Sequence, residues 1–369
     1  MNPVSGRAGL CEATDLAELS AFFQEAWSDD PDCAGEEAIR WRYRHDISDR
    51  AFRGTHLVWR DEDSSGAAGK IVAHMGILPV RLSSESPGSG TADIDAAWLL
   101  DWLVLKSFRG ARVGTLLMKQ ALSRHQLSMA VGLTRDSELI FRRARWFDLG
   151  LVHSWGRVED GGAFLRARWP AAGLIPGAAS LAKLFFAHRK LGSRSAGATE
   201  IQVSDHYPDD ASLLLKGAVL PESSGPRPII RIMRDERFLS ARYGAPPWMT
   251  KHIMARREGR LRGWSVWSMK TRQDGLRVGM LLELLAAGPE EEELLMRSGI
   301  GVLQDAGAGL LIVQQRHVLS EATLKKFRFL PRAGLRFMGY WRDGTDAAPA
   351  ELKDPDRWII QAGDSDMDR

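Results

Sequence analysis

Apolar positions recur at helical spacing at the start of the chain and at strand spacing afterwards. Leu16, Leu19, Phe22, Phe23 and Trp27 fall on one face of a helix, and a second helical stretch centres on Ile39, Trp41 and Tyr43. Strand-like runs follow at His56–Arg60 and Lys70–Leu82, parted by the turn residues Asp63-Ser64-Ser65-Gly66, and at Ala96–Leu105 after a Ser/Gly/Pro loop over Ser83–Gly90. The pattern predicts an antiparallel meander. A helix from Val113 to about His125, a strand over Leu127–Leu133, a helix over Asp136–Ala144 and a strand pair near Leu151–Arg157 complete the unit.

The same order returns in the second half. Trp41-Arg42-Tyr43 is echoed by Ala241-Arg242-Tyr243, and Gly69–Ala73 by Gly259–Gly263. Leu99–Leu103 is echoed by Leu281–Leu285, and Leu139–Trp146 by Ala322–Phe329. Four correspondences in one order argue for two copies of one fold. The predicted organisation is an N-terminal domain over 1–165, a linker over 166–200, a C-terminal domain over 201–345 and a tail over 346–369. The linker combines a short amphipathic helix, Ala178–Lys190, with a hinge over Gly192–Gly197. The tail carries the patch Trp358-Ile359-Ile360 and the acidic run Asp364–Asp368, which reads as solvated because the glycine and distal glutamate of a calcium loop are missing.

Composition narrows the function. The 369 residues, 44% apolar and 26% charged, suffice for two buried cores, and a net charge of +3 is too small for a dedicated nucleic-acid binder. Cys11 and Cys33 form no metal or redox spacing and suit a reducing, cytoplasmic compartment. Met1–Leu10 lacks the apolar core of a secretory signal, and no run of about 18 apolar residues is long enough to span a bilayer. The nine histidines fall into no metal-ligand spacing, so no metal is expected.

The sharpest local feature is the strand ending Leu103-Val104-Leu105 that runs into Lys106-Ser107-Phe108-Arg109-Gly110-Ala111-Arg112-Val113-Gly114-Thr115. This stretch resembles motif A of the GNAT superfamily of N-acetyltransferases, Arg/Gln-x-x-Gly-x-Gly/Ala between a strand and a helix. Arg109 and Gly114 match; Arg112 replaces the first patterned glycine. Downstream, Thr134–Trp146 resembles the family's helix, with Phe141 where a tyrosine is usual and Arg145 where the glycine would be. The expected fold class is α/β, with two tandem GNAT-like domains, each a mostly antiparallel twisted sheet flanked by helices. The tail also resembles that of tandem acetyltransferase-like proteins of bacterial surface-polysaccharide loci.

The resemblance implies that acetyl-coenzyme A, or another acyl-coenzyme A, is bound by Leu103, Val104, Leu105, Arg109, Gly110, Ala111, Arg112, Val113, Gly114 and Thr115. Free amides at a helix start, aided by the helix dipole, hold a diphosphate without a metal, and the two arginines add charge-assisted bonds. The thioester would lie in a gap between the strands ending at Leu105 and Leu133, with backbone N–H groups near Leu103–Leu105 polarising its carbonyl. A primary amine, of a small molecule or glycan precursor, attacks directly. Asp101 is the candidate base by position and Glu138 a weaker one, with His74 behind them. The second copy has Leu324 at the Phe141 position and Gly288-Pro289 followed by four glutamates at its helix start, so no cofactor is expected there. Trp41, Trp59, Trp98, Trp102, Trp264 and Trp267 read mainly as core, with stacking on a sugar or acyl acceptor as the functional alternative. Two rival readings are a non-catalytic member of the superfamily and a FemX-like aminoacyltransferase using charged transfer RNA.

Overall fold

The computed structural model describes residues 6–11, 15–27, 31–44, 54–62, 68–86, 90–169, 171, 191, 198–208, 210, 214, 229–244, 246 and 248–365. The linker helix, the hinge and the Asp63–Gly66 turn lie outside them.

The first half comprises β1 (Gly6–Cys11), α1 (Leu16–Ala26), α2 (Pro31–Ala34), α3 (Glu36–Arg42), β2 (Thr55–Glu62), β3 (Ala68–Ser86), β4 (Gly90–Val104), α4 (Val113–Leu122), β5 (Leu127–Val131), α5 (Arg135–Arg143), β6 (Phe147–Val158) and α6 (Gly161–Arg168). The second comprises β7 (Thr199–Ser204), β8 (Ile229–Ile232), α7 (Glu236–Tyr243), β9 (Met249–Arg257), β10 (Arg260–Thr271), β11 (Arg277–Ala286), α8 (Pro289–Asp305), β12 (Leu310–Arg316), α9 (Glu321–Lys326), β13 (Leu330–Trp341), α10 (Ala350–Lys353) and β14 (Trp358–Gln361). From β2 to β6 and from β9 to β13 the order of elements is the same.

Instead of a separate sheet for each half, the strands form one sheet of 14, in the order β1-β2-β3-β4-β5-β13-β6-β12-β11-β10-β9-β7, with β14 and β8 branching from it. The halves interlock through their last strands. β13 lies between β5 and β6, with Met338 opposite Ala130 on one side and Leu335 opposite Val152 on the other, while β6 pairs with β12. β14 joins β12 to β8, and β8 joins β3. The circuit β3-β4-β5-β13-β6-β12-β14-β8 therefore closes into an eight-stranded barrel. Trp98, Phe337 and Trp358 fill it, with ring centroids 5.7 and 5.2 Å apart, and full burial of such rings supplies much of the core's hydrophobic stabilisation.

Three expectations change. Ser83–Ser86, expected in a loop, are strand: β3 continues to Ser86, and Ser83 and Ser84 pair with both β4 and β8. Leu151–Arg157 belongs to the single strand β6. The tail is not solvated up to Ser365: Trp358 is fully buried inside the barrel, and Asp364 is buried in an ion pair with Arg234. No helix among the described residues is long and apolar enough to cross a membrane.

Candidate acyl-transfer site

The end of β4 is set by a bulge. His74 faces Leu103 and Gly76 faces Leu100, so Asp101 and Trp102 together oppose Met75. Asp101 takes φ +50°, a left-handed conformation that side chains adopt at a cost. A buried network meets that cost: Arg42 Nη1 lies 3.0 Å from Asp101 Oδ2, and the Tyr43 hydroxyl donates to the same oxygen at 2.8 Å. Only glycine at position 76 permits this, because a Cβ there would fall 2.0 Å from the Tyr43 hydroxyl. His74 donates from Nδ1 to the Asp101 carbonyl at 2.8 Å and meets His56 through Nε2 at 2.9 Å. Burial pulls the His74 pKa down to about 4, so the ring is neutral at neutral pH.

Asp101 is therefore a carboxylate buried beneath Arg42 and Tyr43, and its geometry is that of a group holding the bulge rather than one taking up a proton. Glu138 is also engaged: it accepts from Arg142 Nε at 2.9 Å on the surface of α5, with Arg336 3.6 Å away.

Beyond the bulge the residues expected to hold a cofactor, Leu103–Thr115, form one continuous turn. Leu103 and Val104 are half-buried at the end of β4, and the Leu105 amide is bonded to Val72 O at 3.0 Å. Leu105 thus has no N–H to offer a ligand. The amides of Arg109 and Ala111 also bond within the turn, to Lys106 O and Phe108 O. Those of Gly110, Arg112, Val113, Gly114 and Thr115 have no bonded backbone partner among the described residues, and they stand at the start of the ten-residue helix α4. Gly110 at φ +87° and Arg112 at φ +62° turn the chain through two left-handed positions there. Such a turn makes an anion-binding concavity at a positive helix end. Arg109 and Arg112 are exposed, and Arg109 Nε is braced on Val104 O at 3.2 Å. Val113 is buried in the core. Gly114 serves packing, since a Cβ on it would lie 2.9 Å from the Trp102 indole nitrogen, which itself donates to Gly114 O at 3.1 Å.

Arg112 and Arg145, which stand where the resembled pattern has glycines, are both left-handed, as is Arg328, the counterpart of Arg145 in the second half. Trp146 N bonds to Phe141 O, and Phe329 N to Leu324 O, across the same six-residue helix stop.

A gap opens beside the turn. β4 and β5 pair only over Ala96–Trp98 and Leu127–Met129, and beyond them the two strands separate. Phe141 lies 5.6 Å from Trp102 and 4.4 Å from Trp146, whose ring stands 5.8 Å from Tyr340. Tyr340 comes from β13, in the second half, and sequence reasoning missed it because no local pattern ties it to residues nearly 200 positions earlier.

The corresponding gap in the second half is closed. β11 and β12 separate after Leu281 and Val313, and β14 then pairs with Gln315 and Arg316. Leu284 N bonds to Gln361 Oε1 at 2.7 Å, and a Cβ on Gly363 would lie 1.9 Å from the Tyr243 hydroxyl, so the segment is wedged tightly in place. Arg234 bridges Glu283 at 2.8 Å and Asp364 at 2.6 Å. Burial raises the pKa of both carboxylates against the pull of Arg234. The first turn of α8 carries Glu290, Glu291 and Glu292, which oppose anion binding. A separate cleft of about 640 Å³, lined in part by Arg168, Arg272 and Arg332, lies at the start of β12 and does not touch the Arg109–Thr115 turn.

No family model and no curated protein matches the sequence. Among solved structures, Saccharomyces cerevisiae N-myristoyltransferase with bound myristoyl-CoA aligns with a TM-score of 0.65 at 13% identity, over 96% of this chain and 89% of that one. A GCN5-related N-acetyltransferase from Anabaena variabilis aligns with a TM-score of 0.54 at 10% identity, over 92% and 73%. At such identities the likeness is one of fold: the chain has the architecture of these N-acyltransferases.

Proposed function

We propose that the chain is an acyl-coenzyme A-dependent N-acyltransferase of the GNAT superfamily. Its two halves are read as tandem copies of one fold, the first binding the thioester and the second shaping the acceptor cleft. The observation that carries this is the Arg109–Thr115 turn, where five amides with no bonded backbone partner among the described residues and two arginines stand at a helix start beside an open strand gap. The likeness in fold to proteins named as N-myristoyl- and N-acetyltransferases supports it.

In this reading the amides of Gly110 and of Arg112–Thr115 hold the diphosphate, with Arg109 and Arg112 adding charge. The bulge at Asp101–Trp102, braced by Arg42 and Tyr43, sets the strand edge along which the thioester lies. A neutral primary amine attacks the carbonyl carbon, a C–N bond forms, the C–S bond breaks, and the amine's proton is released as the thiolate leaves. A thiol of pKa about 8.5 is a fair leaving group, so Phe141 in place of tyrosine slows the step without forbidding it. Acetyl is the simplest acyl group, and a small-molecule amine the acceptor.

Release of free thiol from acyl-coenzyme A, followed over a panel of amines and a chain-length series from acetyl to myristoyl, tests the proposal. Amine-dependent release supports it. Phe141 favours one other reading, a non-catalytic binding module, which tight coenzyme A binding with no release from any pair would establish.

A further inference from the structure

The buried network beneath β4 has a counterpart in the second half. Arg42 corresponds to Arg242, Tyr43 to Tyr243 and Asp101 to Glu283, and the Tyr243 hydroxyl donates to Glu283 at 3.0 Å as Tyr43 does to Asp101. His56 against His74 matches His252, which accepts from the Trp264 indole at 3.2 Å. These shared residues build the scaffold. Arg44 stands outside the correspondence, because the residue at its place in the second half is Gly244.

Arg44 is 3% exposed, and all three of its guanidinium nitrogens are buried with no hydrogen-bond partner among the described residues. Its guanidinium lies 4.7 Å over the Phe238 ring, at the junction where α3 of the first half meets α7 of the second. Across that junction Arg242 covers the Trp41 ring at 4.2 Å, and the Trp41 indole nitrogen is likewise buried and unbonded. The carboxylates of the neighbouring network are committed elsewhere, Asp101 to Arg42 and Tyr43, and Asp364 to Arg234 and the Gln361 amide. Burial and the nearby charge of Arg242 pull the Arg44 pKa down to about 9, which still leaves it cationic at neutral pH.

Asp364 and Tyr243 act on the Arg44 charge only through space, and a buried cation with no hydrogen-bonded counter-ion is costly for a protein to hold. The donors present also define what would relieve it. Five guanidinium N–H donors and one indole N–H call for an anionic acceptor, and a planar carboxylate takes a guanidinium through two parallel N–H···O bonds and keeps further lone pairs for the indole. Arg44 is also one residue from Tyr43, whose hydroxyl grips the bulge at the mouth of the strand gap.

We propose that Arg44, with the Trp41 indole, seats a carboxylate carried by the acceptor, which makes the acceptor an amino acid or a similar amino carboxylate. The assignment rests on the acyltransferase reading for the amine, and on Arg44 alone for the carboxylate. Arg44 acts as a positioning residue and touches no reacting atom.

The test uses the full chain with ω-amino carboxylates of two to six methylenes, their carboxamides and the parent n-alkanoates, read by thermal shift and by acyl-transfer kinetics. Carboxylates, but not carboxamides, are expected to raise the melting temperature of the wild type. Arg44→Met should abolish the shift while itself melting no lower than the wild type, since it removes an unneutralised charge, and Arg44→Lys should keep part of the shift. In turnover, Arg44→Met should raise KM for amino carboxylates about tenfold or more, with kcat retained. Equal shifts in wild type and Arg44→Met, or none in either, would overturn the proposal. So would an Arg44→Met chain that unfolds or melts lower without any added anion, because an acidic group of the chain itself would then be the partner. Coenzyme A titration is read separately: its absence in the wild type removes the acyltransferase reading and leaves the carboxylate shift to be judged alone.

Discussion

The two strand gaps start from the same elements and end in opposite states. Beside β4 and β5 the gap stays open, and the turn into the helix that follows carries Arg109, Gly110 and Arg112. Beside β11 and β12 it is filled by β14, and the helix that follows begins with Gly288, Pro289 and three glutamates. Both halves keep the bulge, the buried tyrosine and the paired carboxylate. The difference shows that the scaffold and the turn are separable: one half leaves the gap open, the other fills it in closing the barrel.

Breaking the buried ion pairs should produce the largest effects. Arg42→Ala strands Asp101 and is expected to cost about 3–5 kcal/mol. Arg234→Ala strands both Glu283 and Asp364 and loosens the plug, so it should cost more, as the shift in urea midpoint will show. If Arg42→Ala proves the more damaging, the plug is not what holds the second gap shut.

Acid should weaken both halves together. Burial pulls the His74 and His252 pKa values down to about 4, below the ordinary 6.5. Between those values the unfolded chain binds protons that the native chain refuses, so stability is full above about pH 6.5 and lost as pH falls towards 4. The loss is about 3 kcal/mol per histidine. Glu283 and Asp364, held up by burial, act in the opposite sense. Urea midpoints from pH 4 to 7 should show a slope that His74→Gln or His252→Gln each reduces by roughly half.

Smaller effects test the shared helix stop. Arg145→Gly and Arg328→Gly relieve left-handed arginines at equivalent places, and each should stabilise by about 1 kcal/mol. Unequal gains in thermal melting would mean that one arginine has a compensating contact. The smallest expected difference lies in the caps of α5 and α9, where Thr134 accepts from Ser137 N at 3.3 Å and Ser320 from Thr323 N at 3.0 Å. Removing either should cost about 1 kcal/mol, with Ser320→Ala the larger by equilibrium unfolding.

The turn was legible in the sequence because its chemistry is local: arginine and glycine spacing between a strand and a helix can be read from ten consecutive residues. The order of elements was legible because the four echoed segments keep their spacing. The exchange of β6 and β13 was not, since strands pair across any sequence distance and leave no trace in periodicity. β1 was missed because Gly6–Cys11 has no apolar alternation. The tail was misread because three apolar residues shortly before an acidic run resemble a frayed end; its ion pair with Arg234, about 130 positions earlier, explains why Asp364 is buried. The burial of Asp101 was not legible for a similar reason, its partners Arg42 and Tyr43 lying on and just after a helix that the strand pattern does not register.

Calorimetric titration of the full chain with coenzyme A tests the open-gap account most directly. A single site per chain is expected, weakened about tenfold or more by Arg109→Glu and unchanged by Glu290→Gln at the start of α8. No binding by the wild type, a second site, or indifference to Arg109→Glu would contradict it.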